Sequence, residues 1–120
     1  MSVLARTFAL ALLAAPLAAA GASPCDDVRA VETVRAAAAR DRVDLSNLQL
    51  VVEGPYGRAK FVRTHPTFPP SPAVKRKLAN RTFWFVWFHP PFRAAGARGS
   101  DLWALVDARR CELLHVARPQ

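Results

Sequence analysis

The residues in this sequence that could do chemistry are few and far apart. His65, His89 and His115 each stand alone, without a second histidine or cysteine at metal-ligand spacing, so no metal site is expected. No Gly-x-Ser-x-Gly elbow, phosphate-cradling glycine loop or paired-carboxylate motif occurs. One acid–base arrangement can be assembled, that of a small secreted ribonuclease. In it Glu53 is the general base, His115 or His65 the general acid, and Arg58 or Arg63 stabilises phosphate charge. Nothing local demands this arrangement, and isolated histidines ordinarily serve as surface or packing residues. The first expectation is therefore a non-enzymatic protein that needs no cofactor.

The two cysteines, Cys25 and Cys111, stand near the ends of a chain whose first 22 residues read as a leader. Phe8 to Ala20 is an apolar run preceded by Arg6 and followed by Ala20-Gly21-Ala22. That pattern predicts a signal peptide over 1–22, too short to span a bilayer, ahead of a single domain over 23–120. No later stretch is apolar enough to cross a membrane. Without Arg6 the mature net charge falls from +8 to about +7. Export implies a periplasmic or extracellular location, where an even cysteine count implies a Cys25–Cys111 disulfide. Closing a loop of roughly 86 residues contributes about 4–5 kcal/mol in the chain-entropy model. A lipid-modified Cys25 would follow a small residue, and Pro24 stands there instead.

Partners are suggested by charge and by one aromatic segment. Of 17 basic residues against 9 acidic ones, 14 are arginine, which suits carboxylates, phosphates and aromatic faces. Thr82 to His89 (Thr-Phe-Trp-Phe-Val-Trp-Phe-His) reads as a strand with Phe83, Phe85 and Trp87 on one face and Trp84, Val86 and Phe88 on the other. A strand apolar on both faces needs cover on both, and one helix covers one. Either the Pro-rich loop with Phe68 and Phe92 folds over the second face, or that face stays open to a partner or to a second copy in a homodimer. On the open-face reading Trp84, Trp87 and Phe88 supply apolar contact area. Lys75, Arg76 and Arg93 would then steer acidic groups of a protein or an anionic envelope component. Nucleic acid is disfavoured, because no recognised binding motif is present.

The elements that must position these residues follow from local pattern. Ser23-Pro24-Cys25-Asp26-Asp27 reads as the start of a helix, with Ser23 as its cap, Pro24 at its first position and the two aspartates at the positive end of its dipole. Val28, Val31, Val34 and Ala38 follow at helical spacing. Leu48 to Val52 reads as a strand, Glu53 to Gly57 as a hairpin break, and Arg58 to Arg63 as a second strand. His65 to Pro72 holds four prolines and is irregular; Ala73 to Ala79 reads as one helical turn. Leu102–Val106 and Glu112–Val116 flank Asp107-Ala108-Arg109-Arg110 as a terminal hairpin, and Asn80-Arg81-Thr82 forms a glycosylation sequon. The expected class is α+β, with one N-terminal helix packed on a four- or five-stranded antiparallel sheet.

The helix-first order and the ending Leu105-Val106-Asp107-Ala108-Arg109-Arg110-Cys111-Glu112-Leu113-Leu114 resemble secreted PepSY-type domains. That family has a cystatin-like fold and often closes with a strand, Asp-x-x-Thr-Gly and a return strand. Here Arg110 and Cys111 stand in place of Thr-Gly. The resemblance implies a cystatin-like roll and, as an alternative function, inhibition of a secreted hydrolase. Gln49-Leu50-Val51-Val52-Glu53-Gly54 is similar to the Gln-x-Val-x-Gly loop of cystatin inhibitors, one residue longer and with Glu53 where the glycine belongs. The second inhibitory hairpin of that family, Pro-Trp, has no match here, although Trp103 lies in roughly the right strand.

Overall fold

The computed structural model describes residues 25–91 and 101–118, so the expected signal peptide and the loop carrying Phe92 and Arg93 lie outside the described residues. Helix α1 (Asp27–Arg40) starts where the Asp26 side chain accepts the Arg29 amide at 2.9 Å. Asp27 in its first turn and Arg40 in its last both favour the helix dipole. Ala30, Val31, Val34, Ala37 and Ala38 form its buried stripe.

Four strands, β1 (Gln49–Gly57), β2 (Thr82–His89), β3 (Leu102–Asp107) and β4 (Leu113–Ala117), make an antiparallel sheet in sequence order. The row Val52–Val86–Ala104–Val116 runs across the sheet on the α1 side, and the row Glu53–Phe85–Leu105–His115 runs across the other. Two short helices cover that second side, α2 (Arg58–Thr64) and α3 (Pro72–Leu78). Ser71 caps α3 by accepting the Val74 amide at 3.2 Å, and Pro72 fits its first turn.

Strand β2 is closed on both faces by the chain itself. Val86 and Phe88 pack under α1 with Val31, Val34, Leu102 and Val106. Phe83 and Phe85 pack under α2 and α3 with Phe61, Val74, Leu78 and Leu105. Phe68 of the Pro-rich loop lies over Phe85, Trp87 and Trp103, with ring centroids 5.1 to 5.2 Å apart. Each fully buried phenylalanine contributes about 1.5–3 kcal/mol. A Cys25–Cys111 disulfide, with Cα atoms 5.2 Å apart, ties the entry of α1 to the β3–β4 turn.

Two expected elements are corrected. The segment Glu53–Gly57 is not a hairpin: β1 continues to Gly57 through an irregularity in its pairing with β2, where the Gly54–Pro55 peptide is cis. Arg58–Arg63 is not a strand but lies in α2. Six residues with a single dominant apolar side chain carry no readable period, and Ala, Lys and Arg are good helix formers. The second apolar face of β2 decides the outcome, because a helix here drops Phe61 onto Phe83 and Phe85 at 5.6 and 5.4 Å while its cations stay outside. Five strands are thereby excluded among the described residues. None of the described helices is long and apolar enough to cross a membrane.

Candidate functional site

From Gly54 to Ser100 the sequence contains no aspartate or glutamate but nine lysines and arginines. Folding places the two helices of that stretch, α2 and α3, on one side of the sheet. Arg58, Lys60 and Arg63 on α2 and Lys75, Arg76 and Lys77 on α3 are all exposed. Among the described residues none of these six pairs with a carboxylate. The α1 side differs, with Asp26, Asp27, Glu32, Asp41 and Asp44 interspersed among four arginines. Among the described residues the sheet therefore separates a basic face from one of mixed sign.

Within the basic face lies a cleft of about 450 Å³ lined by Arg58, Ala59, Val62, Arg63 and Lys75. Arg58 Nη1 donates to the Lys75 carbonyl at 3.3 Å and so links α2 to α3. A second hollow, about 300 Å³, is lined by Ala79, Asn80, Arg81, Asp107, Arg109 and Arg110. Its Arg81 is already engaged, at 2.7 Å from Asp107 and 3.7 Å from Glu112. Asn80, the sequon residue, is exposed on this hollow.

Beside α2 the structure assembles a cluster that spacing did not reveal. Glu53 Oε1 lies 2.7 Å from His65 Nε2 and accepts the Tyr56 hydroxyl at 2.7 Å. The Tyr56 hydroxyl, and then His65, hold the Glu53 carboxyl below its ordinary range. Burial, and then the Glu53 charge, push the Tyr56 phenol up to about 12. Half of the ribonuclease arrangement thus meets, Glu53 with His65. His115 does not join it: the two residues occupy opposite edges of the same sheet row, three strand spacings or about 14 Å apart. His115 instead sits edge-on to Trp103 at 4.9 Å, and burial, then the Lys77 charge, lower its pKa. Arg58 and Arg63 face the cleft, whose lining includes neither Glu53 nor His65.

The aromatic candidates are distributed differently from a docking patch. Phe88 is 1% exposed beneath α1, with the Arg35 guanidinium 5.1 Å from its ring centre. Trp84 shares that face, half-buried, and its indole donates to the Cys25 carbonyl at 3.0 Å. Trp87 is on the opposite face, packed at 5.1 Å from Phe68 and 4.3 Å from His89, with its indole donating to Asp101 at 3.3 Å. The three therefore make no common surface. Lys75 is brought together with Arg58 and Arg63 in the cleft, Arg76 is exposed on the same helix, and Arg93 lies outside the described residues. Lys60 and the Tyr56–Glu53 contact were missed in sequence, whereas Lys77 belongs to the legible run Lys75-Arg76-Lys77. The long acid-free stretch was the signal that could have revealed Lys60.

Among the described residues no group of three or more His, Cys, Asp or Glu side chains could hold a metal ion. Comparison with protein-family models, with curated proteins and with solved structures finds no match to this chain.

Proposed function

We propose that this chain is an exported, non-enzymatic binding domain whose α2–α3 face docks on an anionic, phosphate-bearing component of the cell envelope. The observation that carries the reading is the set of six exposed cations on two adjacent short helices, none with a carboxylate partner among the described residues. Arginine forks match phosphate oxygens bidentately, and a one-sided field orients the domain as it approaches a charged surface. Phe83, Phe85 and Leu105 support this face from beneath, with Trp87 packed beside them, while Trp84 and Phe88 belong to the α1 side of the sheet. Export is supported by the leader-like N-terminus and by the disulfide, which is consistent with an oxidising compartment. Inhibition of a hydrolase through the Gln49–Gly54 segment has less support, because that segment is paired strand rather than a projecting tip.

Vesicle co-sedimentation tests the proposal. The oxidised chain should bind vesicles containing an anionic phospholipid, release from them as salt is raised, and ignore purely zwitterionic ones. Replacing Lys75 and Arg76 together by glutamine should weaken binding about 25-fold, at roughly 1 kcal/mol per cation. Equal binding to neutral vesicles, or no response to these substitutions, would refute it. RNA cleavage lost in Glu53→Gln would favour the hydrolytic reading instead.

A further inference from the structure

Among the described residues only three large apolar side chains are exposed, and two of them border one groove: Val28 at 61% and Leu50 at 40%. The groove lies between α1 and β1, has a volume of about 440 Å³, and is completed by Val31, Val52, Asp27, Glu32 and Arg35. Strand β1 is an outer strand of the sheet. Its segment Gln49–Glu53 carries neither lysine nor proline, the residues that ordinarily blunt an edge, and the pairing irregularity begins only after Glu53.

We infer that this edge pairs with a second copy of the chain, two β1 strands running antiparallel about a two-fold axis normal to the sheet and centred on Val51. In that register Leu50 stands opposite Val52 and Gln49 opposite Glu53, so no like charges meet across the strands. An isologous contact also sets each Val28–Leu50 lip beside its own copy. Charge selects this edge for self-association. Copies approaching through α2 and α3 would bring together six cations from each, none with a carboxylate partner among the described residues, whereas the groove presents Asp27 and Glu32 with Arg35. The dimer does not depend on the anionic-surface proposal, but it bears on it. An axis normal to the sheet leaves both α1 helices on one side and both basic faces coplanar on the other.

Sedimentation of the oxidised chain in the absence of lipid tests the inference. A dimer is expected, and Val28→Lys, which leaves the sheet untouched, should weaken it at least ten-fold. Leu50→Lys should yield a monomer with unchanged circular dichroism, while Val116→Lys on the opposite edge should remain dimeric. A monomeric wild type, a dimer indifferent to both groove variants, or dissociation by Val116→Lys alone would overturn it. Failure of vesicle binding would leave the dimer standing, and a monomer that still binds anionic vesicles would leave the docking face standing.

Discussion

Arg81 and Asp107 meet at 2.7 Å, and the aspartate is only 4% exposed. One carboxylate thereby fastens the start of β2 to the β3–β4 turn. Its Oδ2 takes the Arg81 guanidinium, while its Oδ1 accepts the amides of Arg109 and Arg110 at 2.7 and 3.0 Å. The same turn ends at Cys111, whose amide donates to the Asp107 carbonyl at 2.9 Å. Asp107→Ala should cost about 3 kcal/mol, since it strands two amides and a guanidinium around an apolar hole. Asp107→Asn keeps an acceptor for the turn and should cost about half as much. Urea unfolding of the three proteins measures both.

Acid should destabilise the domain over two ranges of pH. Burial pushes the Asp107 carboxyl up, but the Arg109 and Arg110 amides and the Arg81 charge together hold it below its ordinary 3.8. Glu53 is held below its ordinary 4.5. Each carboxyl binds a proton more readily in the unfolded chain, so stability that is full at neutral pH is lost as pH falls below these ordinary values. His115, lowered from 6.5, obeys the same sign and begins its loss near that pH. Melting temperature followed from pH 8 downward should fall over both ranges, with His115→Gln removing the first and Asp107→Asn shrinking the second.

Tyr56 is the only tyrosine in the chain, so its ionisation is readable by ultraviolet absorbance without interference. Its phenolate should appear near 12 rather than at the ordinary 10. Glu53→Gln removes the charge but not the burial, so the midpoint should fall part of the way back. A midpoint near 10 in the wild type would show that the hydroxyl is neither buried nor held against Glu53.

Trp84→Ser distinguishes a structural indole from a contact residue. Trp84 packs against the α1-side core, and its indole proton is committed to the Cys25 carbonyl. The substitution should cost about 3 kcal/mol while leaving vesicle binding of the folded protein within two-fold of wild type. A stable variant that no longer binds would return the aromatic strand to the interface.

Cys111 adopts φ 55, a left-handed conformation that glycine occupies without strain. Breaking the disulfide as Cys25→Ala with Cys111→Ala should therefore leave a less stable protein than Cys25→Ala with Cys111→Gly, by about 1 kcal/mol. Thermal melts of the two double variants provide the comparison.

Much of the frame was legible because it is written in short-range signals. The acidic pair Asp26-Asp27 announces a helix, although the cap is Asp26 rather than the expected Ser23. The alternation from Phe83 to Phe88 marks a strand with two apolar faces, and Leu102–Cys111–Val116 marks a closing hairpin around the partner cysteine. The same alternation assigns Trp84 and Trp87 to opposite faces, which already argues against a single patch built from both. Charge was legible as an amount and, in the run without acids, as a block.

What folds over the second face of β2 was a matter for tertiary structure alone. Arg58–Thr64 has no period strong enough to choose between strand and helix, so the demand for cover over Phe83 and Phe85 chose it. That choice turned a scattered basic composition into one face and brought His65 round to Glu53, twelve residues away in sequence. Local pattern specifies which residues want burial or a cap. Which side of the sheet they reach, and beside whom, depends on contacts between segments too distant for any window of sequence to contain.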